Sequence, residues 1–454
     1  ALHLAFLGPY FPTDMAQLTW ARERLPRELR KLAQSGFSAS DPQTLLDRAT
    51  ALYAYWGGED LPLHRAVAEF CLQVAPQLDW RAPHVEKWLL PNGRRPRIAW
   101  VTAFVHAHTV ERMWGGIPRA LPDHGFEVRV FTNFTGKSET KTQMAAATGH
   151  PVVELPDDLA QAREAIAAFE PDVVIYPELG LNRFIWCLGF ARLAPLQITA
   201  WGHAATSGLP EIDLFLGSSE LDPPGAEAFY SEDLARLDPP PVCYQPHLTE
   251  AARSDTAVLG LLPEAHVYLC VQALSKLRPD FDLVLARILA ADPKGVLVLV
   301  GRPSMQSLRI IKRRLAASIR DVERRVRLVE WLSDADFVAL LQRADAILDT
   351  HHFAGGHTSY DMIALGFPFV TLPGSYSKGR VGTMLYRMIG ITDLIARDED
   401  HYVELAVRLA GDRAWRDQLG ARMKRAAAQF QDWQPGLKTL AEFLHARLAQ
   451  PMRR

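Results

Sequence analysis

The first ninety or so residues carry apolar side chains at three- and four-residue spacing. Met15–Ala33, Pro42–Tyr55 and Leu63–Val74 each show one such stripe, which predicts three helices with that stripe turned inward. Turn signals at Ser35-Gly36 and Gly57-Gly58 separate them. Stacked helical hairpins fit this pattern, although no internal period supports a repeat array. The linker Leu90-Pro91-Asn92-Gly93-Arg94-Arg95-Pro96 then ends the helical texture.

From Arg97 onward, short apolar runs alternate with helical segments. The runs are Ile98–Phe104, Phe126–Phe131, Val152–Val153, Val173–Tyr176, Gln197–Ala200 and Leu214–Gly217. A polar, proline-rich stretch from about 222 to 256, containing Pro239-Pro240-Pro241, reads as an interdomain connection. The alternation then restarts with Tyr268–Val271, Val296–Val300, Val326–Val329, Ala346–Leu348 and Phe369–Leu372. Alternation of this kind predicts two doubly wound α/β units in tandem, facing a cleft. The expected division is a helical domain over 1–90, a first Rossmann-like domain over 95–245 and a second over 246–454.

Composition narrows the class of function. The chain has 454 residues, 48% hydrophobic and 22% charged, enough to bury large cores. A net charge of −2 gives no electrostatic footprint for nucleic acid. Cys71, Cys187, Cys243 and Cys270 lie far apart without CxxC spacing, which signals neither a zinc site nor a disulfide framework and favours a cytoplasmic setting. No apolar run approaches the roughly 18 residues of a membrane span, and the first residues lack the pattern of a signal peptide.

Candidate chemistry gathers at predicted strand ends. After Ala346–Leu348, the run Asp349-Thr350-His351-His352-Phe353-Ala354-Gly355-Gly356-His357-Thr358-Ser359-Tyr360-Asp361 crosses into a helix. A helix start with small residues, unpaired N–H groups and Thr and Ser hydroxyls is an anion site, although an ordinary capped turn has the same composition. Lys276 and Arg302 follow other strands of the same half and could reach a phosphate; alone, neither differs from solvated surface. Ser333 reads as a helix cap, and Phe337 after it as core packing. In the first half His106 and His108, then Glu111 and Arg112, lead into Gly115-Gly116; Tyr176-Pro177-Glu178 and Gly202-His203 end later strands. The histidines at 106, 108, 203, 351, 352 and 357 are spread over several loops without an HxxxH helix, and compose no metal signature.

Several of these motifs, in order, are recognisable. Ala344-Asp345-Ala346-Ile347-Leu348-Asp349, Gly356-His357-Thr358-Ser359-Tyr360-Asp361, Gly366-Phe367-Pro368 through Pro373-Gly374, and Arg380 resemble the donor half of glycosyltransferase family 41. That family contains protein O-GlcNAc transferases and bacterial N-glycosyltransferases. Arg192-Leu193-Ala194-Pro195-Leu196-Gln197 and Gly202 to Gly208 extend the likeness into the first half, over roughly 95 to 445. The resemblance implies a GT-B fold, a UDP-sugar donor such as UDP-GlcNAc or UDP-glucose, a protein or peptide acceptor, and an inverting displacement with no metal or other cofactor. It implies that Lys276 contacts the diphosphate and that Gly356, His357, Thr358 and Ser359 hold it at the helix start, with Arg380 a further cation. By the same likeness Asp361 meets sugar or ribose hydroxyls, Gly202 borders the sugar and Phe337 lies against uracil. His108 matches the first histidine of the O-GlcNAc transferase HxxxH motif and is the leading candidate for acceptor orientation or proton removal, with His203 second. Arg112 stands where that motif has its second histidine, which also leaves open a binding protein without transferase activity. A sugar-nucleotide epimerase of similar architecture is the other alternative.

Overall fold

The computed structural model describes residues 2–46, 50–89, 93–105, 108–133, 152–248, 264–301, 304–330, 332–428 and 432–450. His106, Arg302 with Pro303, Trp331, the linker residues 90–92 and the end of the proline-rich stretch lie outside them.

Among the described residues, twelve strands form two sheets, each wholly parallel. The first has the order β3-β2-β1-β4-β5-β6-β7, built from β1 (Arg97–Val101), β2 (Glu127–Thr132), β3 (Val152–Glu154), β4 (Val173–Tyr176), β5 (Leu196–Ala200), β6 (Leu214–Gly217) and β7 (Asp233–Arg236). The second has the order β10-β9-β8-β11-β12, from β8 (His266–Cys270), β9 (Gly295–Val300), β10 (Val326–Val329), β11 (Ala346–Leu348) and β12 (Phe369–Val370). Central strands such as β4 and β5 are buried at every residue, because crossover helices cover both faces of a parallel sheet; hence their unbroken apolar runs.

Alternate residues of β1 serve different cores. Ile98 and Trp100 face the apolar core that continues into the second sheet. Ala99 and Val101 face the other way, into a core built with Leu18, Leu25, Val67 and Phe70 of the N-terminal helices. Those helices therefore cover one face of the first sheet.

Met15–Gln34 and Leu61–Val74 are helical as the periodicity predicts, the former capped by Asp14 accepting from Gln17 N. The expected helix over Pro42–Tyr55 is instead a 3-10 turn, Pro42–Thr44, and a short helix, Leu52–Tyr55. The reason is tertiary: Leu45 and Leu46 are both buried, and Arg183 takes the Leu46 carbonyl that a continuing helix would have used. The stretch read as a connection holds β7, an edge strand whose polar pattern hid it. Further along it, Cys243 N and Gln245 N donate to the Met113 and Arg112 carbonyls, so the chain crosses the mouth of the first sheet before entering the second.

Candidate functional site

In a parallel sheet all carboxyl ends lie on one edge, and a crevice opens where the strand order reverses. That reversal falls between β1 and β4 in the first sheet and between β8 and β11 in the second. Of the sequence-predicted groups, Gly202, Gly356 and His357 line these crevices. A cavity joins them, lined by Thr109, Val110, Trp114, Trp201 and Gly202 from the first half and by Phe353, Ala354, Gly356, His357 and Lys378 from the second.

On the second sheet, Lys276 leaves the turn after β8 and donates from Nζ to Gln272 Oε1 at 3.0 Å and to Ala354 O at 2.9 Å. Its ammonium lies 4.7 Å from the Phe353 ring centre. Burial pushes its pKa down to about 8, against the pull of the nearby Asp349 carboxylate. Asp349, at the end of β11, accepts from Gly355 N at 2.9 Å and from Thr371 Oγ1, and burial pushes its carboxyl up to about 6. The Asp349–Gly355 bond folds the chain between β11 and the helix His357–Leu365, for which Gly356 is the cap residue. A Cβ on Gly355 would lie 2.5 Å from Gln272 Nε2 and from Ser359 Oγ, so only glycine fits between the two turns. Ser359 N donates to Gly356 O at 2.9 Å, and the N–H groups at 356–358 have no carbonyl of their own helix to meet.

His357 Nδ1 lies 2.9 Å from Asp361 Oδ2, one turn on, and Tyr244 OH donates to Asp361 Oδ1 at 2.7 Å. Asp361 is thus buried and engaged by its neighbours, and its carboxylate orients His357 more directly than it reaches a sugar hydroxyl. Ser359 is also turned inward: fully buried, it donates to Gly355 O at 2.9 Å and holds the turn. Thr358 is half-exposed beside it. Arg380 is partly buried and donates to the Glu220 and Gly374 carbonyls, which ties the two halves together rather than presenting a cation to the cavity. Phe337 is half-buried on the helix Asp334–Arg343, packed on the second core, and Ser333 caps that helix as expected.

On the first sheet, His108 caps the helix Thr109–Trp114, with Nδ1 accepting from Val110 N at 3.2 Å and its ring stacked 3.8 Å from Phe104. A neutral ring in that role carries its proton on Nε2, which donates. Gly202 lines the cavity because any side chain there would strike the Pro177 carbonyl. His203 turns away from its neighbour Gly202. It is buried 6.5 Å from His64, beneath the N-terminal helices, and burial beside that second imidazole pushes its pKa down to about 3.

Four further residues carry weight that their sequence context did not reveal. Glu178 accepts from Thr102 Oγ1 and Ala103 N, bridging β1 and β4 at their reversal, and burial pushes it up to about 7. Lys378 lines the cavity while its Nζ pairs with Asp60 at 2.6 Å and donates to Gly58 O, both from the N-terminal helical region. Tyr244 and His247 come from the proline-rich stretch. A YPE run at a strand end was the one visible signal for Glu178; the others lie in no pattern.

Known proteins sharpen this picture. Residues 250–434 match the model of glycosyl transferase family 41. Over 225 residues the chain is 34% identical to a Petunia hybrida protein described as a probable UDP-N-acetylglucosamine-peptide N-acetylglucosaminyltransferase SPINDLY, covering 49% of this chain and 24% of that one. The Arabidopsis thaliana protein of the same description is 32% identical over 227 residues, again 49% and 24%. The chain therefore spans about a quarter of the length of these relatives. In structure it is similar to a mutant of the Thermobaculum terrenum O-GlcNAc transferase, with a TM-score of 0.73 over 96% of this chain and 84% of that one at 21% identity. That likeness shows a GT-B fold preceded by helices. No helix among the described residues is long and apolar enough to cross a membrane.

Proposed function

We propose that this chain is an inverting glycosyltransferase of family 41 that moves a hexose or N-acetylhexosamine from a UDP-sugar to a protein or peptide side chain. The observation that carries this reading is the pairing, at one strand-order reversal, of the Lys276 ammonium with the bare helix start at Gly356–Thr358, across a cavity from the first sheet. Both groups are built to meet an anion. The relatives' descriptions favour N-acetylglucosamine as the sugar and a peptide as the acceptor, with UDP-glucose the alternative donor.

In the proposed reaction an acceptor hydroxyl or amide attacks the anomeric carbon from the face opposite the diphosphate. The new bond to that carbon forms as the bond to the β-phosphate oxygen breaks, and negative charge grows on the departing diphosphate. Lys276 and the N–H groups at 356–358 stand where that charge appears, without a metal in the step. His108, with Nε2–H as donor, orients the acceptor, and the acceptor's proton passes to its Nδ1 lone pair on release of the Val110 cap. Burial pushes the Glu178 carboxyl, at the same strand-order reversal, up to about 7.

Intact-mass spectrometry on a mixed peptide library with a panel of UDP-sugars tests the reading. The expected result is a sugar-sized increment on a peptide with one donor. Tight UDP-sugar binding with no product on any peptide would favour the binding-protein alternative, and interconversion of the UDP-sugar itself the epimerase.

A further inference from the structure

His357 and Asp361 share one face of their helix, and a third chemistry-bearing side chain reaches them from elsewhere. His247, in the segment that crosses the first sheet's mouth, places its ring centre 4.8 Å from that of His357 and its Nδ1 3.5 Å from Asp361 Oδ1. His357 Nδ1 is 2.9 Å from Asp361 Oδ2, and one donor atom from each of the three residues lies within 4.8 Å of the others. Zinc bonds of about 2.0–2.2 Å put the donors of a tetrahedral ion roughly 3.3 Å apart, so small side-chain rotations bring these three into range. Among the described residues no other three His, Cys, Asp or Glu side chains come together in this way.

Two imidazole nitrogens in this cluster, His247 Nδ1 and His357 Nε2, are withdrawn from water without a hydrogen-bond partner. Such groups normally find one, and a metal ion supplies it. Asp361 brings negative charge, Asp334 adds to it at longer range and Arg112 opposes it. Tyr244 OH, donating to Asp361 Oδ1, is the kind of outer partner that fixes a ligating carboxylate.

We propose that His247, His357 and Asp361 form a site for a divalent transition-metal ion of the zinc and cobalt class, and that this ion and the donor nucleotide exclude each other. Two nitrogens and one carboxylate suit zinc or cobalt rather than magnesium, which takes oxygen ligands and keeps its waters. Exclusion follows because His357, once it ligates the ion, is pulled toward His247 and away from the anion space above Gly356. The ion is then an inhibitor of the donor site and not a participant in transfer. Exclusion rests on the nucleotide reading above; metal binding does not.

The test uses tag-free, chelator-treated full-length protein. Co2+ is followed by its visible absorption and Zn2+ by back-titration, with UDP titrated separately by calorimetry into metal-free protein. The expected result is one equivalent of Co2+ with tetrahedral bands, bleached by Zn2+. His247→Ala and the volume-conserving His247→Gln should each bind at least about tenfold more weakly, with unchanged UDP affinity in the absence of metal. UDP should raise the apparent Kd for Co2+. Absence of the bands, or equal Co2+ affinity in both variants, would overturn the site, and UDP that tightens Co2+ binding would overturn the exclusion. Failure of UDP to bind metal-free protein would instead count against the nucleotide reading, whatever the cobalt spectrum shows.

Discussion

Lys276 sits among Gln272 Oε1, Ala354 O and the Phe353 ring, close to the Asp349 carboxylate, and burial brings its pKa down to about 8. A lysine with a lowered pKa is charged below that value and loses its charge above it. If the ammonium meets the leaving diphosphate, kcat/KM should fall as pH rises through about 8. It should also fall as pH drops through about 6, where Asp349 takes up a proton and stops supporting the ammonium. Initial rates across pH check both limbs, and Lys276→Arg should displace the upper one to higher pH. If His108 orients the acceptor, His108→Ala should cut transfer by about a hundredfold or more. Calorimetry should find its UDP affinity nearly unchanged, and near-full transfer by that variant would remove His108 from the reaction. Lys276 itself was legible in the sequence only through a family likeness, since a loop lysine has no pattern of its own. His203 was misplaced because its neighbour Gly202 lines the cavity while the imidazole points the other way, a difference of rotamer that spacing does not encode.

At the level of elements, the turn from β11 into the helix His357–Leu365 divides its two hydroxyls between different tasks. Ser359 Oγ is spent on the Gly355 carbonyl, whereas Thr358 is half-exposed at the helix start. Ser359→Ala should therefore lower stability by about 1 kcal/mol in chemical denaturation, with a modest effect on UDP affinity. Thr358→Ala should do the reverse, weakening UDP binding while leaving the denaturation midpoint in place. Strands were read well from the chain because parallel strands buried on both faces are unbroken apolar runs; β4, β6, β10 and β11 have the residues expected of them. The segment Pro42–Tyr55 was not, because its two consecutive buried leucines and the Arg183 contact are tertiary facts. β7 was missed for the related reason that an edge strand keeps a polar pattern, and with it went Tyr244 and His247 on the following segment.

Across the whole molecule, the N-terminal helices do more than cover the first sheet. Asp60 pairs with the buried Lys378 of the second half, Pro12 O accepts from Arg314, and Tyr55 packs edge-on against Phe353, the ring beneath the Lys276 ammonium. Asp60→Ala leaves Lys378 buried with only the Gly58 carbonyl, and should cost about 3 kcal/mol, visible as a lowered denaturation midpoint. Replacing both partners by apolar residues should recover much of that loss. The helices and both sheets thus converge on the same place, the cavity between the two strand-order reversals. In the proposed reaction Lys276 there meets charge that grows on a leaving diphosphate. Single-turnover transfer from a saturating UDP-sugar, comparing the native protein with Lys276→Ala, measures this. The chemical step should be slower by about a hundred- to a thousandfold, with the UDP-sugar Kd raised by much less. An unchanged rate constant at saturation, with the whole loss in Kd, would remove Lys276 from the chemical step.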